Sequence, residues 1–190
     1  MDTDDPKKFP EAEKALRKSI ELSPSYGAYA NLGYLYERQH RYKESAAASE
    51  RALQLNDQDY IVWANLAIAY DGLNDSVKAT AARDKELPLL EQAAQSRSRD
   101  ASVQSRLGLL YAEKKLHEKA LARVQLALAL SPDDPDVLEN IGETYEDLGD
   151  RPHALQYIEK SLEKGYSLKS LKTPALKSLL SDPNFQPHPK

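Results

Sequence analysis

One short signature returns four times along this chain and limits what it can fold into. Leu32-Gly33-x-x-Tyr36 comes back as Leu66-Ala67-x-x-Tyr70, Leu107-Gly108-x-x-Tyr111 and Ile141-Gly142-x-x-Tyr145, at intervals of 34, 41 and 34 residues. Nine residues beyond each Tyr stands a second small residue: Ser45, Ala79, Ala120 and Ala154. Self-similarity at such a period is the mark of an array of stacked units rather than a single globule. Each unit reads as two amphipathic helices, broken by short polar turns such as "RQHR", "LND", "KKL" and "LGD". Gly inside a helix costs about 1 kcal/mol against Ala, so three glycines at one register position need a reason in packing. Small residues placed where two antiparallel helices cross let the backbones approach closely, and the Tyr fills the space beside that contact.

Composition fits a thin core. Of the 190 residues 41% are hydrophobic, and eleven of the fourteen aromatics are Tyr. Leu, Ala and Tyr must therefore fill the interior. The net charge of −4 speaks against a basic stripe for nucleic acid. There is no Cys, which excludes a disulfide framework, a thiolate zinc site and a Cys nucleophile. No apolar run approaches the ~20 residues of a membrane span, and the opening "MDTDDPKKFP" is too polar for a signal peptide. These features predict a soluble, cytoplasmic chain; an extracytoplasmic domain of a larger membrane protein is the alternative.

The pattern resembles the tetratricopeptide repeat, a family of helix–turn–helix units. Its fullest match is Trp63-x-x-Leu66-Ala67-x-x-Tyr70 followed by Ala79, and Pro24 and Pro132 stand where the family places its closing proline. The resemblance implies an all-α fold, a right-handed α–α superhelix of antiparallel helix pairs. A half repeat occupies 1–25, full repeats 26–59, 60–100, 101–134 and 135–168, and a cap with a frayed tail 169–190. Two departures stand out. A large apolar residue is expected four places after the second small residue; Leu16, Val124 and Ile158 supply it, but Ser49 and Arg83 do not. The second full unit is also seven residues longer than its neighbours, about two helical turns. Its second helix, from about Asp75 toward Ser96, should run on through Pro88 with a kink.

The ends carry expectations of their own. The N-terminal half unit lacks its first helix, as in a cut from a longer array, and should leave Ala12, Leu16 and Ile20 as an exposed apolar strip suited to self-association. At the other end Gly165 suits a helix stop, and Thr173-Pro174 reads as an N-cap with Pro at the first helical position. Leu168, Leu171, Leu176, Leu179, Leu180 and Phe185 offer a closing face, and "QPHPK" should fray. This segment looks like those that close repeat arrays at the C-termini of bacterial signalling proteins, receptor-type kinases among them.

Little in the chain points to catalysis. His40, His117, His153 and His188 fall in turns, at helix starts or in the tail, and none pairs with another at i, i+4. There is no phosphate-cradling Gly-rich loop and no Gly-x-Ser-x-Gly. We expect no enzyme, no metal and no cofactor.

The resemblance implies instead a peptide or partner helix held in a concave groove lined by first helices. Carried over by position, the groove residues are Asn31, Tyr34, Arg38, Asn65, Ile68, Arg106, Leu109, Glu139, Asn140, Glu143 and Glu146. Asn31, Asn65 and Asn140 hold equivalent places and resemble a ladder that hydrogen-bonds a peptide backbone, since an amide both donates and accepts. Arg106 interrupts it. Ala30 and Ala64 stand where the family's carboxylate clamp has lysines, which disfavours a chaperone-tail ligand. Between Arg123 and Arg151 there are eight acidic residues and no base, so that end of the groove should be anionic and suit a basic peptide. The chain thus reads as a protein–protein interaction scaffold with no nucleic-acid partner and no membrane span. The alternatives are a structural module that forms homo-oligomers through its N-terminal end, or the regulatory tail of a larger signalling enzyme such as a bacterial protein kinase.

Overall fold

The computed structural model describes residues 6–173 and 175–187, with the backbone alone for Pro6. Among them lie ten α-helices and one 3-10 turn, and no strand. After the turn Pro6–Lys8 come α1 (Phe9–Leu22), α2 (Tyr26–Arg38), α3 (Tyr42–Leu55), α4 (Tyr60–Gly72) and α5 (Ser76–Ser96). Then follow α6 (Ala101–Glu113), α7 (His117–Leu130), α8 (Pro135–Asp147), α9 (Arg151–Glu163) and the short α10 (Lys177–Leu180). The chain divides into two compact units, Met1–Leu89 and Leu90–Lys190. The division falls within α5, which continues as helix through Pro88.

Local chemistry sets where these helices start and stop. Ser25, Asp59, Asp100 and Asp134 each accept, on the side chain, an amide of the first turn of α2, α4, α6 and α8. Such caps satisfy donors that the helix itself leaves open. The turn between paired helices is one device used four times. Four residues past each motif Tyr, His40, Asn74, Lys115 and Gly149 take left-handed backbone, with φ of 56°, 59°, 60° and 80°. The amide that follows bonds back to the Tyr carbonyl: Arg41 to Tyr36, Asp75 to Tyr70, Leu116 to Tyr111 and Asp150 to Tyr145, all at 2.8–2.9 Å. This is a helix-closing motif in which Gly is the unstrained choice. The chain uses Gly once and accepts His, Asn and Lys elsewhere.

In the first unit, Phe9, Ala12, Leu32, Leu35, Tyr36 and Ala48 form one cluster, with Leu16 and Ile20 packed against it. Here the structure corrects the expectation of an open N-terminal strip. Ala12 is buried, and Leu16 and Ile20, half-buried, pack against the cluster that α1 shares with α2. The strip is thus covered in part by the chain's own helices. A second cluster of Ala46, Leu66, Ala67, Ala69, Tyr70, Ala79 and Ala82 joins α3, α4 and α5. Most of its members are alanines, so the helices approach on short side chains.

In the second unit, Ala101, Val124, Ala127, Val137 and Ile141 pack α6, α7 and α8 together. The C-terminal segment closes α9 with Leu171, Leu176 and Leu179, all fully buried against Ala154, Leu155 and Ile158. Gly165 stops the chain after α9 with φ 109°. Pro174 and His188 lie outside the described residues, as do the last two residues of the expected frayed tail. Thr173 Oγ1 accepts the Leu176 amide at 3.4 Å, and α10 begins only at Lys177. Gln186, expected to fray, donates its amide to Glu159 at 2.6 Å.

The crossing glycines sit where the repeat register requires them. A methyl added to Gly142 would stand 2.6 Å from Ile158 Cγ1 and Cδ1, and 3.2 Å from its amide nitrogen. At Gly33 it would stand 2.7 Å from Ser49 Oγ; at Gly108 the nearest atom is Arg123 Cβ, at 3.3 Å. Helix pairs α2–α3, α6–α7 and α8–α9 therefore touch backbone to side chain at the same register. Gly72, which is no motif glycine, lies flat against the ring of Tyr42 with no room for a Cβ. At the fourth place after the small residue, Ser49 is buried and its hydroxyl has no hydrogen-bond partner among the described residues. Arg83 instead bridges to Asp71 at 2.5 Å.

Candidate functional site

The expected groove residues fall into two sets, one in each unit. In the first, α2 carries Asn31, Tyr34 and Arg38, and α4 carries Asn65 and Ile68, on helices that pack together. Asn31 is exposed, and Tyr34, Arg38 and Ile68 are half-buried. Asn65 is only 8% exposed and offers a ligand little. In the second, α6 carries Arg106 and Leu109, and α8 carries Glu139, Asn140, Glu143 and Glu146. Leu109 is 2% exposed, so it is core and not groove lining. The helical period explains the error: Leu109 neighbours buried Leu107 and Leu110 on a helix that is apolar most of the way round.

The asparagines differ in what they do. Asn140 Nδ2 donates to Ser105 Oγ at 3.2 Å, and Ser105 in turn donates to the Ser102 carbonyl at 3.1 Å. Asn140 therefore ties α8 to α6 with one of its amide hydrogens and half-exposes the rest. An amide held this way is oriented, and its remaining capacity points a fixed direction.

The acidic stretch is partly consumed by the fold. Asp134 caps α8 and Asp150 caps α9, where Asp150 also meets His153 at 2.8 Å. Asp133 pairs with Lys160 and Lys164 at 3.2 and 3.1 Å, and these lysines hold its carboxyl below the usual carboxylate range. Glu146 pairs with Arg151 at 2.6 Å, which corrects its assignment to a free anionic end. That guanidinium also reaches Asp182 at 3.3 Å and Ser178 at 3.0 Å, so it clamps the closing segment onto α8 and α9. Glu139 and Glu143 stand one turn apart on α8, half-buried.

One recurrent feature was not read from the sequence. The motif tyrosines donate to glutamates on the preceding helix: Tyr36 to Glu13 at 2.9 Å, Tyr70 to Glu50, and Tyr111 to Glu91 at 2.7 Å. Burial, and then the glutamate, pushes Tyr70 and Tyr111 up to about 12. Burial works to raise Glu13 as well, but bonds from Arg41, Tyr36 and Arg17 hold it below its ordinary value. Tyr145 has no such partner among the described residues and stacks on Tyr157 and His153, with centroids 5.5 and 4.9 Å away. A Glu standing 20 residues before Tyr70 and again before Tyr111 was the available signal.

Comparison with known proteins bears on this arrangement. A family profile described as tetratricopeptide repeat matches residues 7–60 and 87–135, and a second profile of that description matches 137–170. Among curated proteins, the tetratricopeptide repeat-containing protein trd-1 of Caenorhabditis elegans is 40% identical over 65 residues, 34% of this chain and 8% of that protein. Anaphase-promoting complex subunit 3 of Schizosaccharomyces pombe is 24% identical over 151 residues, 79% of this chain and 22% of that protein. The chain thus spans under a quarter of either curated relative. Among solved structures, a thermophilic TPR protein of Thermus thermophilus superposes with TM-score 0.59 at 21% identity, covering 91% of both chains. YrrB, a TPR protein with an unusual peptide-binding site, superposes with TM-score 0.51 at 22% identity, covering 87% of this chain and 82% of its own. Among the described residues no helix is long and apolar enough to cross a membrane. The recurring helix pairs, their glycine crossings and the two profile matches agree: the chain belongs to the tetratricopeptide repeat family.

Proposed function

We propose that this chain is a protein–protein interaction scaffold and that the α6–α8 face of its second unit receives an extended, basic segment of a partner. The observation that carries the reading is the half-exposed row of Glu139, Asn140 and Glu143 on one face of α8, with Asn140 oriented by Ser105. An oriented amide reads a peptide backbone without regard to its sequence, while the two carboxylates favour Lys or Arg nearby. Asn31, Tyr34, Arg38 and Ile68 of the first unit form a second, less acidic surface of the same kind. Support comes also from the family, since YrrB has a peptide-binding site.

The test is a titration of a Lys/Arg-rich peptide pool against wild type and against Glu139→Lys/Glu143→Lys, at low and high salt. Glu146 is spared because it holds Arg151 and the closing segment. Exposed charges act over a screening length of about 8 Å at physiological ionic strength, so binding should weaken with salt and drop in the variant. Equal affinity for both proteins would return the acidic row to solvated surface.

A further inference from the structure

We propose that the first unit carries a second docking site, a cleft between α3, α4 and α5 that takes a partner segment with one large apolar side chain beside a single Lys or Arg. This inference stands apart from the α6–α8 face and does not need it. The cleft measures ≈ 650 Å³, within the range of about 300–1,000 Å³ typical of ligand sites. Its floor is Leu53, Trp63 and Leu66, and its far wall is Pro88 and Leu89. Both wall residues belong to α5.

The site is oriented as well as apolar. Trp63 Nε1 donates to the Asp57 carbonyl at 2.8 Å, which fixes the half-buried indole. The polar rim is asymmetric. Glu50 and Asp57 stand on the α3 side and Lys85 on the α5 side. The Glu50 carboxylate accepts only the Tyr70 hydroxyl, and Asp57 accepts from Gln58 at 2.5 Å; neither has a cationic partner among the described residues. Two carboxylates without counter-charge, next to an indole face, complement a cation on that side. Lys85 opposes a second cation on the other. An apolar anchor entering between Trp63 and Leu89 therefore arrives with one base, directed toward Asp57.

Trp63 is the chain's single tryptophan, so its emission reports on the cleft alone. The probes are the blocked peptides acetyl-Lys-Phe-Ser-amide, acetyl-Lys-Phe-Lys-amide and acetyl-Glu-Phe-Ser-amide, titrated into the full chain. The singly basic peptide should give a saturable shift and bind tightest. Glu50→Gln/Asp57→Asn should weaken it about three- to tenfold, the scale of one or two exposed ion pairs. The Gln carbonyl still accepts from Tyr70, so the fold is kept, and far-UV circular dichroism checks this. Lys85→Glu should reverse the preference in favour of the doubly basic peptide. Absence of a saturable shift, equal binding of the acidic peptide, or indifference to Lys85→Glu would each overturn the proposal. So would a shift that follows protein concentration without peptide, which would mean that a second copy fills the cleft. Because the Glu139→Lys/Glu143→Lys variant leaves this cleft untouched, the two sites can fail separately.

Discussion

The α2–α3 crossing and the α8–α9 crossing occupy the same place in their repeats and are built differently. At the first, Gly33 meets Ser49, whose buried hydroxyl has no partner among the described residues. At the second, Gly142 meets Ile158, fully buried and shared with the closing segment. Both admit a close approach of backbones. One fills the approach with a hydroxyl that lost its water, the other with a branched alkyl group that lost nothing by leaving it. The repeat position thus sets the geometry, while the residue facing the glycine sets how much stability the geometry yields.

The comparison can be broken most severely at Gly142. Gly142→Leu must drive a side chain into Ile158, and overpacking of this kind costs about 1–3 kcal/mol. Urea denaturation followed by circular dichroism should show the loss, and Gly108→Leu should cost less, because its nearest neighbour stands farther off at 3.3 Å. An unchanged midpoint for Gly142→Leu would remove the basis of the register.

Ser49→Ala sharpens the other side of the comparison. Deleting an unpartnered buried hydroxyl should stabilise the first unit by roughly 1 kcal/mol, read as a higher midpoint in Trp63 emission. A lower midpoint would mean that the hydroxyl is satisfied. The same substitution should also relieve Gly33→Ala, whose added methyl otherwise meets Ser49 Oγ at 2.7 Å.

A smaller effect is expected from alkaline titration. Tyr70 and Tyr111 are pushed up to about 12 by burial and then by their glutamates, against an unfolded value near 10. The folded state therefore holds these protons more tightly. The stability linked to them is whole below about pH 10 and is lost as pH rises through about 12. Tyr70→Phe/Tyr111→Phe should flatten the decline over that window, measured as urea midpoint against pH. The smallest expected change is at the turns. Lys115→Gly relieves left-handed backbone at φ 60° and should stabilise by up to about 1 kcal/mol.

Much of the fold was legible because the repeat restates itself. The small residues, the motif tyrosines and the polar turns recur at fixed offsets, and each misreading of one unit is checked by the others. What escaped notice lies between units of the pattern. The Tyr70–Glu50 and Tyr111–Glu91 bonds join one repeat to the helix before it, and Gly72 meets Tyr42 across the same boundary. The groove was read less well. Leu109 followed from its position in the family and proved to be core, because a first helix buries more than one face. Glu146 was counted as free because its partner Arg151 lies just outside the acidic run, across the turn from α8 to α9. The N-terminal strip is less open than expected for a related reason, since α1 turns its apolar side toward α2.

The central claim is that the motif glycines exist to let the two helices of a pair touch. A double-mutant cycle of Gly142→Ala with Ile158→Val, read by urea denaturation, tests it most directly. The added methyl would stand 2.6 Å from Ile158 Cδ1, which Val lacks, and from Cγ1, which Val keeps, so Val removes part of the overlap. Gly142→Ala should therefore destabilise the wild type although Ala is the better helix former by about 1 kcal/mol. In the Ile158→Val background it should cost less, with a coupling of at least about 0.5 kcal/mol. A Gly142→Ala that stabilises the chain, or a cycle that is additive, would contradict the claim.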